Sequence, residues 1–331
     1  MKKLLPLLLA LIAIAGCGEK EENTGAAAKE EFTLLLDYVP NADHASIYAA
    51  QAAGYFDDVG LDLKIREPSD PAAPLAQASA NRVDLAISYE PELLRARDLE
   101  KQVVSVGALV RKPLTSLISL PAAGIDGPED LEGKTVGTAG IDYQSAYLKT
   151  ILQQAGIPAD RVKERDVGFG LTPALLTKKV DAVLGAFWNV EGVELERKKR
   201  NPKIIRIEQA GVPTYNELIF VANQRAVEED PAKVRRFLAA LALGTRDLER
   251  DPEVGVKALV KANPELKAPL QRAELDVTIP LFLPERGDPF GYQDPAEWAR
   301  FTKWMRDNGL LENLTTPEGA FTNDLLPGRR P

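Results

Sequence analysis

Residues 32–67 read FTLLLDYVPNADHASIYAAQAAGYFDDVGLDLKIRE, and the change of period inside this stretch decides the class of fold. The opening "FTLLLDYV" is a short apolar run, the pattern of a strand covered on both faces. Asn41 and Asp43 are side chains that cap helices, and small and apolar residues follow at helical spacing to Ala53. Gly54 stops the helix, and "LDLKIRE" alternates as a strand does. A strand, a helix and a second strand in this order predict a parallel pair with the helix crossing over it.

The same rhythm continues along the chain. "VDLAISY" (83–89) and "VVSVGALV" (103–110) read as strands, with helices at "PAAPLAQASA" and "PELLRARDLE". After Pro121 it restarts with strands "GKTVGTAG", "KERDVGF", "DAVLGAFW", "KIIRIEQ" and "NELIFVANQ", and helices between the first four of them. From Pro231 the text is mostly helical, and apolar faces of that length need a partner, so the tail is expected back on the first half. About 300 folded residues exceed what one core usually supports. The expectation is an α/β protein of two lobes with mostly parallel sheets. Residues 32–117 and 222–331 form a discontinuous lobe 1, and 118–221 form lobe 2. Two strands cross between the lobes, near "LTSLISL" and "TYNELIF".

The amino end states a place. "MKKLLPLLLALIAIAGC" (1–17) has two lysines, an apolar run and small residues before Cys17, the chain's only cysteine. Residues 1–16 read as a signal peptide and Cys17 as a lipidation point; the charged segment 17–31 reads as a flexible tether. Removing Lys2 and Lys3 takes the formal charge from −8 to −10. Such an acidic chain has no footprint for nucleic acid.

Ligands of open α/β sheets bind beyond the carboxyl ends of the strands. Those positions hold Asp37, Tyr38, Asn41 and His44; Tyr89 and Glu90; Phe187, Trp188 and Glu191; and, on the second crossing segment, Tyr215, Asn216 and Glu217. Rings and carboxylates alternate there, with only Arg95 and Arg97 nearby, so a neutral or cationic heterocycle suits the site better than an oxyanion. Tyr38, Tyr89, Phe187 and Trp188 could sandwich a flat ring, with Glu191 taking its polar edge. There is no cluster with metal-ligand spacing, no Ser-His-Asp wording, no phosphate loop and no cofactor motif.

In order and wording, "DYVPNADHASIYAAQAAGYFDDVGLDL", "DLAISYEPELLRARD", "DLEGKTVG", "VDAVLGAFWNVEGVELE" and "GVPTYNELIFVAN" resemble periplasmic solute-binding proteins of ABC importers. The branch they are most similar to captures thiamine pyrimidine precursors. "DYVPNADH" and "FWNVEG" carry the narrower likeness. The resemblance implies a type II periplasmic-binding-protein fold, a monomer that closes on a substituted 4-amino-2-methylpyrimidine. It also implies permease subunits with a cytoplasmic ATPase as partners, and an extracytoplasmic, lipid-anchored location. It puts Asp37, Tyr38, Asn41 and His44 on one face of the cleft and Trp188 and Glu191 on the other. A binder of riboflavin-type or sulfonate-type solutes is the alternative within the class. A fungal relative makes the same pyrimidine, so a synthase with a reactive histidine is the alternative outside it.

Overall fold

The computed structural model describes residues 29–283 and 287–328. Ten strands fall where the sequence reading expects them, in two five-stranded sheets. The first sheet contains β1 (Glu30–Leu35), β2 (Leu61–Arg66), β3 (Leu85–Ser88), β4 (Val103–Val110) and β10 (Leu218–Asn223), in the order β2-β1-β3-β10-β4. The second contains β5 (Thr115–Ser119), β6 (Thr135–Thr138), β7 (Lys163–Asp166), β8 (Ala182–Phe187) and β9 (Lys203–Arg206), in the order β7-β6-β8-β5-β9.

The two sheets repeat one plan. Three strands run parallel at one side: β2, β1 and β3 in the first sheet, β7, β6 and β8 in the second. One strand then enters antiparallel, and it is the strand that has just arrived from the other half of the molecule. β10 pairs antiparallel with β3 and β4, and β5 with β8 and β9. The chain therefore passes between the sheets twice, through residues 111–114 and 207–217. β5 belongs to the second sheet from Thr115 and β10 to the first from Leu218, so the expected boundaries at 117 and 221 cut through these strands.

Central strands β3 and β8 are buried along their whole length because helices cover both faces. The tail does return to the first sheet. Helix Pro231–Arg250 buries Val234, Phe237, Leu238, Leu241 and Leu248 at spacings of three and four, and Phe237 stacks on Phe32 at 4.7 Å. Gly244 lets this helix touch helix Ala45–Ala52, since a Cβ there would lie 2.7 Å from the Ala50 nitrogen.

One long helix, Ala268–Phe282, does not follow from the apolar pattern of the sequence. Its buried residues are Gln271, Glu274, Leu275, Thr278 and Phe282, spaced as on a helix but largely polar, and Pro280 interrupts its last turn. The polar face is inward because it meets other polar groups, as described below. Among the described residues, no helix is long and apolar enough to cross a membrane. Cys17 and the signal and tether readings lie outside the described residues.

Candidate functional site

The ends of four strands converge between the sheets. β1 delivers Tyr38 and Asn41, β3 delivers Tyr89, β6 delivers Ala139 and Ile141, and β8 delivers Gly185, Phe187, Val190 and Glu191. Together with Gln144 these residues line a slot of about 20 Å³, measured as the space open to the centre of a water. That is room for about one water, so a ring enters only when the walls part.

Each wall is held from behind. Asn41 caps the turn Ala42–His44 by accepting the Asp43 N–H at 2.8 Å. Behind Tyr89, the Asp37 carboxylate accepts the Tyr89 hydroxyl at 2.9 Å and meets His44 Nε2 at 2.9 Å. The Asn41 N–H donates to His44 Nδ1 at 3.2 Å. That bond leaves Nδ1 an acceptor and puts the ring proton on Nε2, facing Asp37. On the other side, the Ala139 N–H donates to Gln144 Oε1 at 2.7 Å. Gly185 has φ +102°, and any Cβ would strike Gln144 at 2.2 Å, so only glycine fits this wall.

Strand β8 ends in a wide turn of π form, Trp188–Gly192, before helix Val193–Arg197 begins. Five residues rather than four close such a turn. Trp188 opens this turn and Glu191 lies near its end, and their side chains go different ways. Glu191 lines the slot, and its Oε2 accepts the Phe187 N–H at 2.7 Å. Burial pushes its carboxyl up to about 7, against these backbone donors. Trp188 turns outward, donates to the Pro113 carbonyl at 3.2 Å and lies 4.0 Å under the Arg206 guanidinium. It is absent from the slot's lining, contrary to the sandwich expected from the sequence.

Four more of the expected contact residues serve the passage between the sheets. Glu217 accepts the Leu114 N–H (2.6 Å), the Thr115 N–H (2.7 Å), the Thr115 hydroxyl (2.9 Å) and the Tyr215 hydroxyl (3.0 Å). One fully buried carboxylate thus ties the two crossing segments together. Glu90 Oε2 accepts the Asn216 backbone and side-chain N–H groups, both at 2.7 Å. Tyr215 stacks on Phe301 at 4.8 Å. None of Glu90, Tyr215, Asn216 and Glu217 lines the slot. Asp37 and His44 stand one layer behind it.

Burial also raises the carboxyls of Glu90, up to about 8, and of Glu217, up to about 7. Between 4.5, where a free glutamate titrates, and these values, the folded form keeps protons that the unfolded form has lost. The stability these two groups contribute therefore falls as pH rises from about 4.5 and levels off above about 8. The melting temperature should be lower at pH 8.5 than at pH 5.5, and Glu90→Gln should narrow the gap. A melting temperature that rises across this range would contradict the assignment.

A further link closes the two halves on each other. Asn189 Nδ2, beside β8, donates to Asp43 Oδ1 at 2.6 Å, near β1, and lies 2.8 Å from the Thr278 hydroxyl on helix Ala268–Phe282. This is what the helix's polar face meets. Asp43 is fully buried, and desolvation holds its carboxyl well above the usual range. Asn189 follows the end of β8, where the strand-end rule could have found it, whereas Thr278 lies on a helix that sequence reasoning had not found. Gln144 sits on the first turn of helix Asp142–Gln154, just past β6, where the strand-end rule could have found it.

The sequence profile described as NMT1/THI5 like matches residues 41–254, more than half of the chain. The chain belongs to the NMT1/THI5-like family. A formylaminopyrimidine-binding protein of Halalkalibacterium halodurans is 32% identical, over 97% of this chain and 98% of its own. A 4-amino-5-hydroxymethyl-2-methylpyrimidine phosphate synthase of Legionella pneumophila is 28% identical, over 91% of this chain and 94% of its own. Among solved structures, the alkanesulfonate-binding protein of Xanthomonas axonopodis pv. citri bound to MOPS aligns with a TM-score of 0.69. It is 15% identical and covers 90% of this chain and all of that one. The fold of this NMT1/THI5-like chain is thus that of the periplasmic binding proteins. Among its described residues, no three His, Cys, Asp or Glu side chains are grouped to hold a metal.

Proposed function

We propose that this chain captures a thiamine pyrimidine precursor, built on 4-amino-2-methylpyrimidine, and hands it unchanged to an ABC permease. The observation that carries the reading is the slot: aromatic Tyr38, Tyr89 and Phe187 with one carboxyl, Glu191, among them. The rings meet the flat faces of a pyrimidine, and stacked aromatics contribute roughly 0.5–1.5 kcal/mol each beyond burial. Glu191, poised near neutrality at about 7, fits the edge in either protonation state. As carboxylate it accepts from the exocyclic amine and a protonated ring nitrogen; as acid it donates to that nitrogen and accepts from the amine. The name of the Halalkalibacterium halodurans relative supports the same ligand class. Lipidation at Cys17, anchoring outside the cytoplasm and action as a monomer complete the proposal.

Binding is favoured over synthesis by His44. A reactive histidine has to reach its substrate, and this one is 0% exposed, bonded at both nitrogens and outside the slot's lining.

The test is a thermal-shift series with formylaminopyrimidine, taurine and nitrate. At 100 times its Kd a ligand stabilises by about 2.7 kcal/mol. For a chain of this size that is a rise of roughly 4 °C. The pyrimidine should give it, and its mass should be unchanged after incubation. A shift with taurine instead would overturn the ligand, and a changed mass would overturn binding without turnover.

A further inference from the structure

Asn189 is where the second half of the molecule enters the first. It sits on the turn Trp188–Gly192 and is fully buried, between the turn Ala42–His44 and helix Ala268–Phe282. Both hydrogens of its Nδ2 are spent there. One goes to Asp43 Oδ1 at 2.6 Å and the other to the Thr278 hydroxyl at 2.8 Å, which itself donates to the Glu274 carbonyl.

The second oxygen of each partner is left over. Asp43 Oδ2 and Asn189 Oδ1 are buried, and neither has a hydrogen-bond partner. An ionised Asp43 would leave both as acceptors without a donor, an arrangement that protein interiors avoid. One proton on Oδ2 changes the count. A carboxylic acid and a primary amide pair through two bonds: the amide N–H to the acid's carbonyl oxygen, and the acid's O–H to the amide oxygen. The first bond is present, and the atoms that the second joins are the two left over. The surroundings favour the neutral acid. Burial, opposed by the Asn189 bond and aided by the charges of Asp37, Glu191 and Glu217, holds the Asp43 carboxyl well above its usual range. Glu274, one turn before Thr278, is a further carboxyl within reach of Asp43, and His44, next in the chain, is bonded to Asp37 instead.

We propose that protonated Asp43 and Asn189 form a neutral acid–amide latch that holds the two halves shut and gates passage to the slot. Asp43 stands two positions from Asn41 and Asn189 two from Glu191, both lining residues, so the walls part when the latch does. Asp43, Asn189 and Thr278 are themselves absent from the slot's lining. A ligand therefore does not compete with them, and the latch serves the free and the loaded chain alike.

Substitution at position 43 tests the proton, because an amide there offers the same donor and acceptor as a neutral acid and cannot stand in for an anion. In small-angle X-ray scattering of the ligand-free full chain, Asn189→Ala and Asp43→Ala should have a larger radius of gyration than wild type. Asp43→Asn should match wild type. The infrared difference between wild type and Asp43→Asn at neutral pH should contain one protonated-carboxyl band. A third arm, stopped-flow mixing with formylaminopyrimidine, rests on the ring reading of the slot. There both alanine variants should bind and release the ligand about tenfold faster, with Kd within about threefold of wild type, because a gate moves both rates together. A loosened fold alone does not speed association. Each variant is first shown to be folded by its melting curve. If Asn189→Ala does not fold, Thr278→Val, which removes one of the two Nδ2 bonds, replaces it with both rates about threefold faster. Alanine variants as compact as wild type, with its rates, overturn the latch. An Asp43→Asn that behaves as Asp43→Ala, or a missing carboxyl band, overturns the neutral pair. No binding by any variant, with scattering as expected, overturns the ring reading and leaves the latch standing.

Discussion

Replacing Glu191 by alanine is expected to weaken binding of the pyrimidine at least hundredfold. The reason is its position: it is the one carboxyl lining the slot, on a turn whose backbone fixes it through the Phe187 N–H at 2.7 Å. Truncation leaves the amine and the ring nitrogen of the ligand unpaired in a desolvated site. A hundredfold loss corresponds to about 2.7 kcal/mol, within the usual cost of stranding a buried charge-assisted pair. Glu191→Gln makes the finer test. An amide still offers one acceptor and one donor in the same plane, so the loss should be about tenfold, or ~1.4 kcal/mol. Wild-type affinity should change with pH near 7, where Glu191 titrates, and that dependence should vanish in the glutamine variant. Trp188→Ala belongs in the same series as a contrast, with a change under threefold, because its ring is engaged by Pro113 and Arg206 outside the slot. If Trp188→Ala costs more than Glu191→Ala, the slot has been assigned to the wrong side of the turn.

The second large effect falls on folding rather than on the ligand. Glu217→Ala removes the acceptor shared by Leu114, Thr115 and Tyr215, and leaves four donors without it. These donors sit on both crossing segments, where the site is fully buried and water cannot replace the carboxylate. The expected loss is about 3–5 kcal/mol, with a drop in melting temperature of roughly 5–8 °C. Glu217→Gln keeps one acceptor oxygen and should lose about half as much. Calorimetric melting of the ligand-free chain measures both. A drop below about 2 °C in Glu217→Ala would show that the clasp contributes little. Binding that fails at full stability would return Glu217 to the ligand.

These two residues show where reading the chain succeeds and where it stops. Both are glutamates within three residues of an aromatic ring, at the edge of a strand, and in the sequence they are equivalent candidates. Burial and the direction of the chain separate them. Glu191 follows β8 as the strand leaves its sheet at the cleft, and Glu217 precedes β10 as the chain enters the other sheet, away from the slot's lining. Trp188 lies outside the slot for a local reason, since it opens a turn of π form with its ring against Pro113 and Arg206. No propensity in "FWNVEG" marks that turn.

What the chain's text determined alone was the alternation of period: ten strands, the helices between most of them, two passages, and rings at the strand ends. Period is local, because a side chain's face depends on its neighbours within one turn or one pleat. What only the tertiary structure decided was which polar groups face one another. Helix Ala268–Phe282 is the plainest case. Its inward face carries Gln271, Glu274 and Thr278, a pattern that reads as solvent-facing until Asn189 and Asp43, distant in the chain, arrive opposite it. A buried polar face is stable only when its partners come from elsewhere, and a partner that far along the chain leaves no trace in the local period.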